Sequence, residues 1–388
     1  MNGSLDLDAI LARTKEIALN ELAPRAREID ETGNWPEKSI RALQKAGLGG
    51  LVLSTGIGGH GQGLLAVAKV CEILGRHCAS TAMCFGMHLV GSAVISAKAT
   101  PEQKNCFLIP IAEGDHLTTL SLSEPGTGAH FYIPEAELSR EENGNYILNG
   151  TKSFVTNGSF ADSYVVSAVI PEPEALVGHF SCVVVPGQSD GMEWQKPWSG
   201  IGMKGNSSRD VEIKNLHLPA RNLLGEPGDQ IWYVFEVITP YFIMAMAGTY
   251  LGIATAALEE AVDHLKTRAY SHSGISLSQK PVLQHRIGKL WAKVESVRQL
   301  IYSSAEKGDT GGNKALLSIL SSKAEVSDCV VNVVNEVMTL MGGISYGENA
   351  ALSRHLRDAR ASHVMSPTTE LVRIWAGRTL LDVPLLGD

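Results

Sequence analysis

Leu120-Ser121-Leu122-Ser123-Glu124-Pro125-Gly126-Thr127-Gly128 is the stretch at which the sequence changes character. Before it, apolar residues recur at helical spacing. After it, they come in short runs divided by turns. Upstream, 9–23, 37–46, 64–76 and 81–100 read as helices. Pro24 ends the first, Pro36 sits in the first-turn position of the second, and Pro101-Glu102 starts a short further one. A glycine-rich connector covers 47–63. Downstream, 118–122, 145–148, 163–169, 180–185 and 210–216 are β-rich, with turn signals at Asn143-Gly144 and Asn157-Gly158. Beyond Pro227-Gly228, helices are expected near 230–270, 280–307, 313–341 and 365–382. The order is α, then β, then α. Without β-α-β alternation, a doubly wound dinucleotide fold is excluded. The expected fold is α+β. A helical domain covers 1–115, a β-barrel or sandwich 116–228, and a four-helix bundle 229–388.

Composition narrows the function. The 388 residues are 44% hydrophobic and 19% charged, which fits a packed globular chain and not a disordered one. With 33 basic and 41 acidic residues the net charge is −8, and no run of five like charges occurs. Nucleic-acid binding is therefore not expected. Residues 1–20 lack a basic segment followed by an apolar run, so no secretory signal is expected. Cys71, Cys78, Cys84, Cys106, Cys182 and Cys329 form no C-x-x-C pair and read as reduced thiols of a cytoplasmic protein. Residues 237–258 carry no charge and are long enough to cross a bilayer. Pro240, Gly248, Gly252 and the acidic flanks Glu236 and Glu259-Glu260 make this a buried central helix instead of a membrane span.

Two motifs are decoys. Gly56-Ile57-Gly58-Gly59-His60-Gly61 matches G-x-G-x-x-G, but no acidic residue follows about 20 positions on. Gly343-Ile344-Ser345-Tyr346-Gly347 matches G-x-S-x-G but follows a helix, where a nucleophile elbow needs a strand. With 39 glycines, such matches arise by chance. His77, His88, His264, His285 and His355 lack metal-ligand spacing, so no metal is expected.

Four segments carry meaning together: Leu120 to Gly128; Gly150-Thr151-Lys152-Ser153-Phe154-Val155-Thr156-Asn157-Gly158; Val211 to Gly225, ending Leu218-Pro219-Ala220-Arg221-Asn222-Leu223-Leu224-Gly225; and Met341-Gly342-Gly343 with Arg354-His355-Leu356-Arg357-Asp358-Ala359-Arg360. In order and spacing they resemble the acyl-CoA dehydrogenase superfamily over essentially the whole chain. The resemblance implies FAD as cofactor and a homodimer or homotetramer. Leu122, Ser123, Phe154, Val155 and Thr156 would line the isoalloxazine, and Gly128 would approach the pyrophosphate. Arg268 and Gln284 match adenosine-side positions. Gly342 and Gly343 would serve the neighbouring subunit's FAD, and Thr368 and Thr369 would meet the cofactor. Glycines 58, 59 and 61 become the connector of the N-terminal domain.

The pattern breaks at the chemistry. The family's catalytic glutamate opens an "E-G-T-S" loop, which here reads Ser366-Pro367-Thr368-Thr369. Ser366 is a poor base without an activating partner. The alternative glutamate position on the apolar helix falls at Phe242, and its neighbouring arginine at Ile243. Two substrate-side positions, a serine and an aspartate in the family, are Ala129 and His130. Glu370, Glu236, His363 and His130 remain as alternative bases. The resemblance implies dehydrogenation of an acyl thioester, held on CoA or a carrier protein. An electron-transfer flavoprotein or oxygen would be the acceptor. A flavin monooxygenase on the same fold and a non-catalytic family member are the other readings.

Overall fold

The computed structural model describes residues 5–171, 179–197, 199–312 and 314–386. The first four residues of the N-terminal stretch and Asn313, where a C-terminal helix is predicted to start, lie outside the described residues. The N-terminal part holds α1 Leu7–Ile17, α2 Ala26–Thr32, α3 Glu37–Lys45, α4 Leu64–His77, α5 Ala79–Ala97, α6 Pro101–Gln103 and α7 Ile109–Glu113. Pro36 stands at the N-cap of α3, one position outside the predicted first turn. π-helical turns at Ala18–Leu22 and Lys104–Leu108 have no counterpart in the sequence pattern. α5 is buried from Ala79 through Ile95, so its apolar residues form no single stripe. The connector packs tightly: a Cβ on Gly59 would lie 2.2 Å from Leu53 O. In this first decoy Gly59 serves close packing, Gly58 and Gly61 adopt positive φ, and no strand precedes them.

The middle of the chain forms one sheet from β1 Thr118–Ser121, β2 Glu137–Arg140, β3 Tyr146–Val155, β4 Ser163–Ile170, β5 His179–Pro186, β6 Met192–Trp194, β7 Arg209–Leu218 and β8 Leu223–Leu224. The order is β6-β7-β3-β2-β4-β5-β8, and β1 runs parallel to β4. β2, β6 and β8 lie outside the predicted strands. β2 buries only Leu138, too little to give an alternating signal. β3 runs on past the predicted 145–148 to Val155, and its register against β7 shifts between Lys152 and Val155.

The predicted central helix 230–270 is α8 Gln230–Trp232, a π turn Tyr233–Ile238 and α9 Thr239–Thr267. Pro240 has no backbone N–H to donate, and the wide turn sits directly before it. α10 Pro281–Thr310, α11 Ala315–Met341, α12 Ala351–Val364 and α13 Thr369–Leu380 complete the chain. α12 is missing from the four helices read in the sequence. Its buried stripe is Leu352, His355, Asp358, Ala359 and Ser362, too polar to announce itself among Arg354, Arg357 and Arg360. The second decoy lies in the turn after α11, where Ser345 Oγ donates to Gly342 O at 2.7 Å. With no strand before it, it is no nucleophile elbow.

α4 and α9 cross with almost no side chains between them. A Cβ on Gly248 would lie 2.2 Å from Ala68 O, and one on Gly252 2.3 Å from Glu72 O. Two helical stretches, Ala79–Ala97 and Gln230–Thr267, are long and apolar enough to cross a membrane, and both are largely buried inside the protein.

Candidate active site

A cavity of about 560 Å³ opens where the middle sheet meets the C-terminal helices. That size suits a cofactor or small-molecule site. The sheet wall consists of residues 120–125 at the end of β1 with Ser153, Phe154 and Thr156 at the end of β3, and Gly128 and Ala129 beyond. The helical wall is Ile238, Thr239 and Phe242 near the start of α9, four residues of α12, and Met365, Ser366, Pro367 and Thr368. The α12 residues are Arg357, Arg360, Ala361 and Val364. Their i, i+3, i+4, i+7 spacing puts them on one helix face. Residues 201–203 and Met87 close the sides.

The sheet wall is shaped by a buried ion pair. Lys152 and Glu124, with side chains 0% and 2% exposed, are hydrogen-bonded to each other. Lys152 Nζ also donates to Ser167 Oγ at 3.0 Å and Leu122 O at 3.4 Å. Glu124 accepts from Glu135 N at 2.6 Å and Ala136 N at 3.1 Å. Burial pushes the Lys152 amine down, and Glu124 pulls it back up. Ser153 N donates to Ser123 O at 2.8 Å, tying β3 to the segment after β1. At the register shift Phe154 adopts φ 55°, its N donates to Asp210 Oδ1 at 3.1 Å, and its side chain is turned outward. Phe154, Ile201 and Val364 stand 61%, 67% and 62% exposed, an apolar rim that needs a cover.

On the helical wall, Arg357 pairs with Asp30 of α2 through both guanidinium ends and donates to Ile201 O at 2.8 Å. Burial raises the Asp30 carboxyl, but the Arg357 hydrogen bond and charge overcome it and hold the group below its usual value. Asp358 accepts from Met203 N at 2.5 Å and is pushed up to about 6, chiefly by burial. Together these contacts fix 201–203 against α12. The loop before α13 is held by Tyr250 OH, 3.1 Å from Met365 Sδ, and by Thr368, whose Oγ1 accepts from Leu371 N at 3.3 Å.

The cavity gathers Leu122, Ser123, Gly128, Ala129, Phe154, Thr156, Phe242, Ser366 and Thr368 from the sequence-derived candidates. Others lie off it. Val155, Ile243 and Thr369 are buried beside it without lining it, and His130 is exposed and edge-on to Tyr132. The alternative bases Glu236 and Glu370 are exposed and outside the lining: one sits on the π turn, the other in the first turn of α13. His363 too lies off the lining, beside Asp328. Arg268, Gln284, Gly342 and Gly343 are exposed and form no part of this cavity. Glu124 and Arg357, quoted in the sequence motifs but not singled out, line it. Glu124 is the one acidic group among the described lining residues, and its oxygens are already committed.

Comparison with known proteins places this architecture. Three family profiles match in order: Acyl-CoA dehydrogenase, N-terminal domain, over 4–115; middle domain, over 119–216; and C-terminal domain, over 241–381. The chain belongs to the acyl-CoA dehydrogenase family. It is 31% identical to a cyclohex-1-ene-1-carbonyl-CoA dehydrogenase of Geobacter metallireducens, covering 96% of this chain and 97% of that one. The butyryl-CoA dehydrogenase structure from Megasphaera elsdenii superposes with a TM-score of 0.90 at 26% identity, covering 98% and 100% of the two chains. A chain of the Acidaminococcus fermentans electron transferring flavoprotein structure superposes with a TM-score of 0.91 at 28% identity, again covering 98% and 100%. The named dehydrogenases are oxidoreductases.

Proposed function

We propose that this chain is an FAD-dependent dehydrogenase of an acyl thioester, carried on CoA or a carrier protein, that works without the family's usual glutamate. The observation that supports it most is the cavity itself. It combines small hydroxyls on extended backbone, an outward-turned Phe154 ring and an exposed apolar rim, which fit a flat aromatic cofactor. A flavin held there would supply the acceptor for the hydride of the substrate's β-carbon. The other tasks fall to the chain. Residues 122, 123 and 156 would hold the ring through backbone groups and hydroxyls, and Phe154 would cover a face. Arg357 and Asp358 fix residues 201–203 along the side of the cavity. Ser366 stands where the α-proton must leave. An alcohol holds that proton poorly, so turnover is slow or the substrate's α-proton is unusually acidic.

Arg268, Gln284, Gly342 and Gly343 belong in this reading to the flavin site of a second copy, in a homodimer or homotetramer. Their exposure, and that of Trp291 and Tyr346, 59% and 84%, supports a surface that another copy covers. The domain limits 1–115, 116–228 and 229–388, a cytoplasmic location and an electron-transfer flavoprotein as acceptor complete the reading. The test is anaerobic mixing of the flavin-loaded protein with a panel of acyl-CoA and acyl-carrier thioesters. Bleaching of the flavin band is expected with at least one. No bleaching with any of them sinks the reading. Ser366→Glu is expected to raise the reduction rate about 100-fold, the usual contribution of a placed base. An unchanged rate with flavin retained means that substrate contacts are lost as well.

A second reading, a flavin monooxygenase, is favoured by one observation: no uncommitted carboxylate lines the cavity among the described residues. Oxygen consumption in the presence of a reductase distinguishes it.

A further inference from the structure

Lys323 sits in the middle of α11, 1% exposed, in a helix whose neighbouring positions are apolar or small. Lysine is almost never buried without a carboxylate. Among the described residues no carboxylate lies within ion-pair distance of it. Its ammonium donates instead to Ser362 O at 2.8 Å and to Thr369 Oγ1 at 3.4 Å. Ser362 is in the last turn of α12 and Thr369 is the first residue of α13. Ser362 O is one of the helix-end carbonyls that lack an intrahelical partner, and a cation there is favourable. Ser327, one turn further along α11, places its Oγ 3.0 Å from the same oxygen. Between the two anchored residues lies the segment that carries Val364, Met365, Ser366, Pro367 and Thr368 into the cavity.

We propose that Lys323 is a positioning residue: its buried ammonium ties the end of α12 to the start of α13 and so sets where Ser366 and Thr368 stand in the cavity that would hold the flavin and thioester. The proposal rests on the flavin-site reading above and adds to it a residue that touches neither cofactor nor substrate. The geometry makes the tie sensitive to protonation. Charged, the amine is a strong partner for Ser362 O. Neutral, it is a weak donor, and the tie loosens. Burial pushes the amine down to about 7, Glu370 raises it and Arg373 lowers it. His363 and Arg360 of α12 and Asp328 of α11 surround the same corner.

The experiment uses flavin-loaded wild type, Lys323→Met and Lys323→Arg. Crotonyl-CoA is titrated from pH 6 to 9 and followed by the flavin spectrum. Wild type is expected to bind crotonyl-CoA with a one-proton step near pH 7, tighter on the acid side. Lys323→Met is expected to keep its flavin, bind about tenfold more weakly at pH 6, and lose the step. Lys323→Arg, charged throughout, is expected to restore most of the affinity and remove the step. A wild-type profile flat over this range, or a Lys323→Met variant that retains the step, overturns the proposal. So does a drop in Tm with affinity unchanged, the mark of a merely structural residue. If Lys323→Met does not fold, the wild-type and Lys323→Arg profiles decide alone. Wild type that holds no flavin, or flavin whose spectrum ignores crotonyl-CoA at every pH, instead fails the functional reading on which the proposal stands.

Discussion

The two walls of the cavity each rest on a fully buried lysine, and the two lysines are held differently. Lys152, behind the sheet wall, has Glu124 as a counter-ion, and that carboxylate has two backbone N–H groups of its own. Lys323, behind the helical wall, has a carbonyl and a hydroxyl. The first arrangement gives a wall braced by an ion pair and by further hydrogen bonds on both partners. The second leaves a cation whose direct partners are a carbonyl and a hydroxyl, with Glu370 and Arg373 acting only at longer range. The sheet wall is thus held by a paired charge, and the helical wall by a cation on a carbonyl and a hydroxyl.

The largest effect expected from breaking this contrast is at Lys152. Removing one partner of a buried ion pair strands the other, so Lys152→Met should cost about 3 kcal/mol, read as a lower urea midpoint. Glu124→Gln in the same chain should recover part of it. Lys323→Met strands no carboxylate, and its effect on stability should depend on pH. An unfolded lysine titrates near 10.5 and folded Lys323 at about 7, so between these values the unfolded state binds more protons. Wild-type stability should therefore rise relative to Lys323→Met as pH goes from 7 toward 10, and stay level below 7. Urea midpoints of both proteins at pH 6.5 and 9.5 check the sign. A difference that does not change with pH would make the two lysines alike. The smallest effect is at Arg357, where Gln should cost about 1–2 kcal/mol through the lost bond to Asp30. Asp30 titrates below its usual value, so that contribution is present above about pH 4 and is lost as pH falls through the folded value. The gap between wild type and Arg357→Gln in acid unfolding should therefore close at low pH.

The sheet wall was the more legible of the two. Its segments lie in two short sequence stretches, 120–128 and 150–158, where residue type and order carry the information. Ser366 was readable as a site position, because its neighbours fix its place in the loop, and the cavity lining includes it. The replacements proposed for it were less so. Glu236 and Glu370 are near the site in sequence, but which side of a helix a residue takes is decided by packing, and both face solvent. Lys323 was invisible, since a lysine in an apolar helix reads as the solvent face. α12 was missed because its buried side includes His355 and Asp358. β2 and β6 were missed because edge and short strands bury too little to impose a period.

The crossing of α4 and α9 has a consequence for how the chain is made. Backbone meets backbone there, so the helical body is completed by segments that lie on either side of the entire sheet in the sequence. A ribosome delivers the N-terminal helices and then the sheet, and those helices wait with their apolar faces uncovered until α9 emerges. The exposed intermediate is the likeness of a protein missing its partner, and chaperone demand during translation should peak before residue 267 and fall after it.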